Sequence, residues 1–435
     1  MPKHIHEIRD PIHVFIRLDS DERKVLNSRP YQRLRHVHQL ATSYLIYPGA
    51  THKRFEHCLG VMDLASRVFD VITAPENITD VIRGSIPEIT QSSKLEYWRR
   101  VLRMAALCHD MGHLPFSHAA EDELLPSGIN HESLTKDIIL SEEMAAIWRE
   151  ITPPLRAEDI VKLAVGPKKV KLPFTNWERI LAEVIVGDAF GVDRMDYLLR
   201  DSHHIGVAYG RFDHYRLIDT LRILPSLPDT TKQGQVEAEE QREPTLGVEE
   251  GGMHSAEALL LARYFMFSQV YYHHVRRIYD IHLIDFLKAW LPNGKFKADV
   301  ASHCAMTDNE VNAALLQAAY DPAAKGHDPA RRLVCRKHFK LLWKRNPADT
   351  KINPDAGLSI FEAVKATYGA EKVRYDKIPP KSGTFNFPVL TGRAGLLSSL
   401  SLSDALNSLP VAKVEYVFII PENFENANRW LHDKR

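Results

Sequence analysis

The stretch Val101-Leu102-Arg103-Met104-Ala105-Ala106-Leu107-Cys108-His109-Asp110-Met111-Gly112-His113-Leu114-Pro115-Phe116-Ser117-His118 runs an apolar helical stripe straight into three histidines and an aspartate. Val101, Leu102, Ala105, Ala106 and Cys108 recur at helical steps within a helix read over Tyr97 to Met111. His109 and Asp110 therefore stand at a helix end. Adjacent helical residues point about 100° apart, so the pair can grip one ion only where it lies against that end or in a groove. A His-Asp pair alone is equally a capping aspartate beside a core histidine. Gly112, His113, Pro115 and His118 tilt the reading toward chemistry, because imidazoles are common metal ligands and exchange protons near neutral pH.

Two flanking stretches add partners. Arg54 to Ile72 carries Phe55, Leu59, Met62, Leu64, Ala65, Val68, Phe69 and Ile72 at three- and four-residue steps, which places His57 on a helix. In Gly191-Val192-Asp193-Arg194-Met195-Asp196-Tyr197, the residues Asp193, Asp196, Tyr197, Arg200 and Asp201 share one helical face. A solvated face of Asp–Arg pairs would look the same. Its apolar flanks Val184-Ile185-Val186 and the following His203-His204 favour a cleft wall. Two imidazoles with two carboxylates form a mixed N/O donor set, suited to Mn, Fe, Ni, Zn or Mg rather than to a thiolate-rich structural zinc.

Composition sets the outer limits. Of 435 residues, 56 are Lys+Arg and 56 Asp+Glu, so the formal net charge of zero argues against non-specific coating of nucleic acid. The 22 histidines are unusual, and 15 of them fall within 36–57, 109–131, 203–214 and 254–282. Four scattered cysteines, none in a CxxC pair, fit a reduced, cytoplasmic chain. No apolar run approaches the ~18 residues of a membrane span, so no membrane partner is expected.

Further helices are read over Trp177–Val186, Asp193–His203 and, as one long element, Ser255–Leu291. Leu221–Leu224 and Thr245–Val248 predict a hairpin whose long acidic loop runs from Pro225 to Pro244. Beyond Pro292, short helices are expected at 307–320, 328–345 and 358–368, then a Pro/Gly-rich segment at 378–396 and a strand over Val414–Ile420. The fold class is mainly α: a helical core over 1–295, with a small β-hairpin at about 221–250, and a smaller mixed α/β C-terminal lobe over 296–435.

Arg54-Phe55-Glu56-His57, His109-Asp110 through His118, and Asp193-Arg194-Met195-Asp196-Tyr197 together resemble the HD-domain phosphohydrolases, and more narrowly the deoxynucleoside triphosphate triphosphohydrolases. Gln32-Arg33-Leu34-Arg35, Tyr47-Pro48-Gly49-Ala50, Arg200 to Gly206 and Ala262 to Met266 extend the likeness over about residues 5 to 290. The resemblance implies one divalent metal held by His57, His109, Asp110 and Asp193. It implies hydrolysis of a dNTP to deoxynucleoside and inorganic triphosphate, by water attack at the α-phosphorus. The 5′-alkoxide leaves poorly unless protonated, so a general acid is needed; His118 is assigned to it, with His131 as its partner and His113 lining the same path. Arg54, Arg194 and Arg263 match triphosphate-contacting positions, and Tyr197 lies beside them. Gln39, Leu40 and Tyr271 match positions that close on the deoxyribose, and Asp201 one that reads its 3′-hydroxyl. Tyr271 is equally readable as a core aromatic.

The sequence departs from the family's pattern at three places. Arg194 stands where a Lys is common, and it binds phosphate as a fork rather than a point. At a regulatory nucleotide site Arg35 is retained, but Asn27 replaces an Asp, leaving the allosteric nucleotide open. His273-His274 replaces a His-Lys pair. The resemblance also implies a homo-oligomer, tetrameric or hexameric. The alternatives are another HD-type phosphohydrolase, acting on a monophosphate, ppGpp or a cyclic nucleotide, and a nucleotide-sensing or single-strand nucleic-acid-binding protein on the same fold.

Overall fold

The computed structural model describes residues 5–117, 121–228, 242–379 and 385–433. Most of the long acidic loop and His118 lie outside them. The fold is mainly α with small sheets of two to four strands. It opens with an antiparallel hairpin, β1 (Ile5–Asp10) and β2 (Val14–Asp19), which the sequence reading missed.

The helical core follows. Its longer members are α1 (Arg54–Ile72), α2 (Ser92–Cys108), α3 (His131–Ile139), α4 (Ala157–Val165), α5 (Asn176–Val186) and α6 (Val192–Ile205). Helix α1 packs against both α2 and α6, burying Leu59, Met62, Leu64, Ala65, Val68 and Phe69 on its apolar face. The α2 run ends at Cys108, so His109 and Asp110 emerge from a fully buried helix end.

Strands β3 (Leu221–Pro225) and β4 (Pro244–Glu249) form the expected hairpin. The next segment departs from expectation. Instead of one helix over Ser255–Leu291, α7 (Met253–Met266) leads into a π-helical turn, Phe267–Tyr271, and α8 (His274–Trp290) starts afresh. Residue His273 is non-helical and its ring accepts the Val275 N–H, so it caps a new helix rather than continuing the old one.

Beyond Pro292, α9 (Asp308–Tyr320) matches its expected range. The helix read over 328–345 is shorter: α10 (His327–Val334) stops, and Lys340–Lys344 becomes strand β5. Leu342 and Trp343 are buried there, and pairing with a neighbouring strand overrides local helical preference. Helix α11 (Ala356–Tyr368), β6 (Val373–Ile378), β7 (Pro388–Thr391), β8 (Gly395–Ser398), β9 (Val414–Ile419) and α12 (Phe424–Asp433) complete the described chain. The Pro/Gly-rich segment thus contains β7 and the start of β8, and β7 runs parallel to β4, extending the hairpin to a four-stranded sheet ordered β3-β4-β7-β8. The other C-terminal sheet has the order β5-β9-β6. One apolar cluster joins Ala41, Leu114 and Phe116 to Phe286, Val311 and Leu333, on both sides of position 295.

The crossing of α1 over α6 is set by Gly60. A Cβ there would overlap Asp196 Oδ1 and Arg200 Nη2. Gly60→Ala is expected to lower the stability by about 1–3 kcal/mol, the usual cost of overpacking a closed contact. Urea unfolding checks this, and an unchanged midpoint would refute it.

Candidate metal and anion site

Helices α1 and α6 and the end of α2 bring four side chains together. His57 Nε2 lies 3.0 Å from Asp193 Oδ1 and 3.6 Å from Asp110 Oδ2. His109 Nε2 lies 3.4 Å from Asp110 Oδ1 and 3.5 Å from Asp193 Oδ1. The orientation of both rings is fixed from behind. His57 Nδ1 donates to Asp196 Oδ2 at 2.8 Å, and His109 Nδ1 donates to the Ala106 carbonyl at 2.8 Å. Each Nε2 therefore points at the shared centre, the arrangement by which outer partners orient metal-ligating imidazoles. His109 Nε2 is buried and makes no hydrogen bond among the described residues. A buried donor atom left this way, amid two carboxylates and a second imidazole, fits a divalent cation, and the N/O set suits the metals expected from sequence.

The electrostatics agree. Burial alone would lower the His57 pKa, but its hydrogen bonds to Asp193 and Asp196 and the charge of Asp110 raise it to about 10. His109 is likewise raised against its burial, chiefly by Asp110. Burial would raise Asp110, yet Arg54 and the neighbouring imidazoles hold it well below the usual carboxylate range. Burial would raise Asp193 too, yet the adjacent His109 and His57 imidazoles lower it. Without an ion, protons on the imidazoles balance these carboxylates.

A cavity of about 1630 Å³ opens onto this centre. Its walls include His109, Asp110, Asp193, His113 and His131, and also Gln39, Leu40, Arg54, Arg194, Tyr197, Asp201, Arg263 and Tyr271. His57 is fully buried behind the wall. All of the described residues assigned from sequence thus meet in one place. Some have partners that refine their placing. Arg54 gives Nη1 to Asp110 Oδ2 and Nε to Ser117 Oγ, so much of its fork supports the centre. The two oxygens of Asp201 accept from His52 Nε2 and Tyr271 Oη, each at 2.7 Å. Tyr271 can reach Asp201 because the π-turn ends the preceding helix there.

Arg194 and Arg263 face the cavity together. Burial lowers the Arg263 pKa, and the nearby Arg194 lowers it further. Both Nε atoms are buried without a hydrogen bond among the described residues. The Phe385 ring lies 4.9 Å from the Arg263 guanidinium and 6.0 Å from that of Arg194. Sequence reading missed Phe385, which comes from the Pro/Gly-rich segment and has no motif around it.

Sequence reading also missed Glu121. Its carboxylate accepts from His131 Nδ1 at 2.7 Å and from the His131 amide at 2.6 Å. The His131 ring stacks on His113 at 4.2 Å. Ten residues separate Glu121 from His131, a distance that no helical spacing rule would connect. Thr135 and His131 crowd Gly112, where a Cβ would overlap the His131 carbonyl and the Thr135 amide, so only glycine lets the motif loop lie against α3. The two positions that the resemblance aligns with a nucleotide-regulation site lie elsewhere: Asn27 caps the helix Ser20–Leu26, and the Arg35 guanidinium stacks 3.5 Å over the Phe55 ring. His273 and His274 stack on each other at 4.5 Å outside the cavity.

The fold and this centre define an HD-domain protein, and comparison with known families agrees. Residues 54–200 match the HD domain and 232–352 the HD associated region, so the chain belongs to the HD-domain family, within the metal-dependent phosphohydrolase superfamily. Among solved structures, a hypothetical protein from Aquifex aeolicus is 31% identical, with a TM-score of 0.76 over 98% of this chain and 100% of that one. The uncharacterized protein YwfO of Bacillus subtilis is 32% identical over 281 residues, 64% of this chain and 54% of that protein. Deoxynucleoside triphosphate triphosphohydrolase SAMHD1 of Xenopus laevis is 26% identical over 398 residues, 81% of this chain and 58% of that protein. The chain spans about half the length of the curated relatives it matches. No described helix is long and apolar enough to cross a membrane.

A pH dependence follows from the raised imidazoles. In the metal-free protein His57 stays protonated through neutral pH, and a cation must displace that proton. Mn²⁺ affinity is therefore expected to rise by up to about tenfold per pH unit for each proton displaced, with proton release on binding. Titration calorimetry in two buffers of different ionisation enthalpy checks this; a pH-independent affinity without proton release contradicts it.

Proposed function

We propose that the chain is a metal-dependent dNTP triphosphohydrolase. Water attacks the α-phosphorus, the P–O5′ bond breaks, the 5′-oxygen leaves with a proton, and the products are deoxynucleoside and intact triphosphate. The observation that carries this reading is the Arg194–Arg263 pair in the cavity that holds the His/Asp centre. Two half-buried guanidiniums of like charge, each with a shielded Nε that makes no hydrogen bond among the described residues, repel one another unless an anion lies between them, and their forked donors suit phosphate oxygens. A divalent ion held by His57, His109, Asp110 and Asp193 would supply Lewis acidity at a phosphate oxygen and acidify a water.

The chain's own groups account for the rest. Phe385 lies beside both guanidiniums and keeps them at the cavity wall. Glu121 fixes the His131 ring by taking its Nδ1 proton in a hydrogen bond, and the stack on His113 sets its plane. His118 keeps its sequence-based assignment as general acid to the 5′-oxygen, with His131 as its partner. Leu40 and Gln39 stand on the cavity wall that also carries Tyr271, whose hydroxyl is pinned to Asp201. A wall fixed in this way selects a sugar without a 2′-hydroxyl. The activity for which SAMHD1 is named supports the same reaction class.

The deciding experiment incubates the protein with each dNTP and NTP, with Mn²⁺, Mg²⁺ or Co²⁺, and resolves the products by ion exchange. Equal amounts of triphosphate and deoxynucleoside are expected, and orthophosphate or pyrophosphate would overturn the proposal. Arg194→Ala and Arg263→Ala should each raise KM about tenfold or more while metal content is kept, since each removes a charge-assisted contact. Glu121→Gln should lower kcat by about a hundredfold with bound metal unchanged, the usual scale of an impaired proton-transfer group. Metal analysis beside steady-state kinetics distinguishes these effects from loss of the centre.

A further inference from the structure

The turn that follows the His109-Asp110 motif is held in an unfavourable shape. Phe116 and Ser117 both have φ of 58°, in the left-handed region that non-glycine residues avoid. Such a conformation persists only where its surroundings over-determine it. Here the constraint comes from Asp308, nearly 200 residues further along the chain. Asp308 is fully buried, at the first turn of α9. It does not cap its own helix, a task done by Thr307 and Glu310. Its Oδ1 accepts the Phe116 N–H at 2.8 Å, and its Oδ2 accepts the His38 N–H at 2.8 Å and His38 Nδ1 at 2.6 Å. Lys53 Nζ donates to His38 Nε2 at 2.5 Å, which fixes the Nδ1–H form of that ring. Three donors satisfy this buried carboxylate, and the charges of Arg33 and Lys53 lie near enough to act on it.

Both tethered segments lead into the site. Ser117 Oγ donates to the His38 carbonyl at 3.0 Å and accepts from Arg54 Nε at 2.9 Å, and Arg54 pairs with Asp110. His38 is followed by Gln39 and Leu40, which line the cavity. A second tie runs alongside: Arg33 donates Nη2 to the His113 carbonyl at 2.9 Å and Nε to the Met306 carbonyl at 2.8 Å.

We infer that Asp308 is a positioning residue, contributed by the C-terminal part of the chain, which sets the Phe116–Ser117 turn and the 38–40 segment around the candidate site. It acts through Ser117 and Arg54 on Asp110, and through the 38–40 backbone on the cavity wall. Its effect on turnover rests on the reaction proposed above; its effect on the turn does not.

The test uses the full chain with Asp308→Asn, which preserves volume but turns an amide toward one set of donors. Bound Mn²⁺, kcat per bound Mn²⁺, KM and amide exchange are measured together. Bound Mn²⁺ is expected to stay within about twofold of wild type while kcat per bound Mn²⁺ falls about tenfold or more, as small misplacements in a site cost. Exchange should speed up in peptides covering 112–117 and 36–40 and stay the same in α1 and α6. Turnover per bound Mn²⁺ near the wild-type value, or unchanged exchange in both segments, overturns the inference. A purely structural role would instead lower metal, folded fraction and activity in parallel, and that result overturns it as well. If wild type turns over no dNTP, the function proposal fails by itself, and the exchange arm still decides whether Asp308 holds the turn. Should the variant not fold, wild-type exchange decides: a Phe116 amide as protected as the α1 core is expected, and one that exchanges freely overturns the inference.

Discussion

Everything at the site depends on one buried carboxylate. Asp196 is fully buried where α6 meets α1, and it accepts from His57 Nδ1, His13 Nε2 and the Arg200 fork. Arg200 is itself fully buried and also reaches Asp10, at the end of β1. Burial would push the Asp196 carboxyl up, but Arg200 and the two imidazoles hold it well below the usual range. Charges cannot be left unpaired in such an interior, because desolvating a lone ion costs several kcal/mol even after relaxation. The N-terminal hairpin, α1 and α6 are thus locked by the same group that aims His57 at the candidate metal position. Stability and ligand geometry share a residue, so neither can be altered alone. Gly60 belongs to the same constraint, since it alone leaves room for the Asp196–Arg200 pair against α1.

A neutral chain that is to take a polyanion, as proposed, must concentrate its positive charge. Arg54 serves largely inside the centre, where it holds Asp110 ionised. Arg194 and Arg263 face the cavity from α6 and α7, and their mutual repulsion is tolerable in the folded state because Phe385 and solvent in the cavity surround them. Under the proposed function, the cost of holding them together would be recovered when an anion binds, so that affinity would follow the charge of the ligand more than its shape.

The helices and the metal-ligand candidates were legible because their signals are local. Periodic apolar residues marked α1, α2, α5 and α6, and the His-Asp pair sat where the α2 stripe ran out. What could not be read depends on pairing between distant segments. Strand β5 looked helical because Leu341, Leu342 and Trp343 carry no alternation of their own, and only β9 makes them a strand. The break at Tyr272–His273 was hidden because a π-turn keeps an apolar helical look while adding a residue. Glu121 and Phe385 reach the site through space, and no spacing rule connects them to His131 or Arg263. Asp196 was seen on the correct face of α6, but its role behind His57 needed the α1–α6 crossing angle.

The C-terminal part carried no motif, yet one of its side chains lines the cavity and another holds segments that lead into it. Phe385 enters beside the arginines, and Asp308 grips the turn after the motif. Phe116 is also buried in the apolar cluster that contains Leu283, Phe286 and Val311, so the turn is fixed by apolar packing as well as by the carboxylate. A left-handed pair of ordinary residues needs both, because strain of this kind is relieved by the first small movement its surroundings permit. Such a region need carry no sequence signature of its own: its work is to exclude alternatives for a backbone whose chemistry is written some 200 residues earlier.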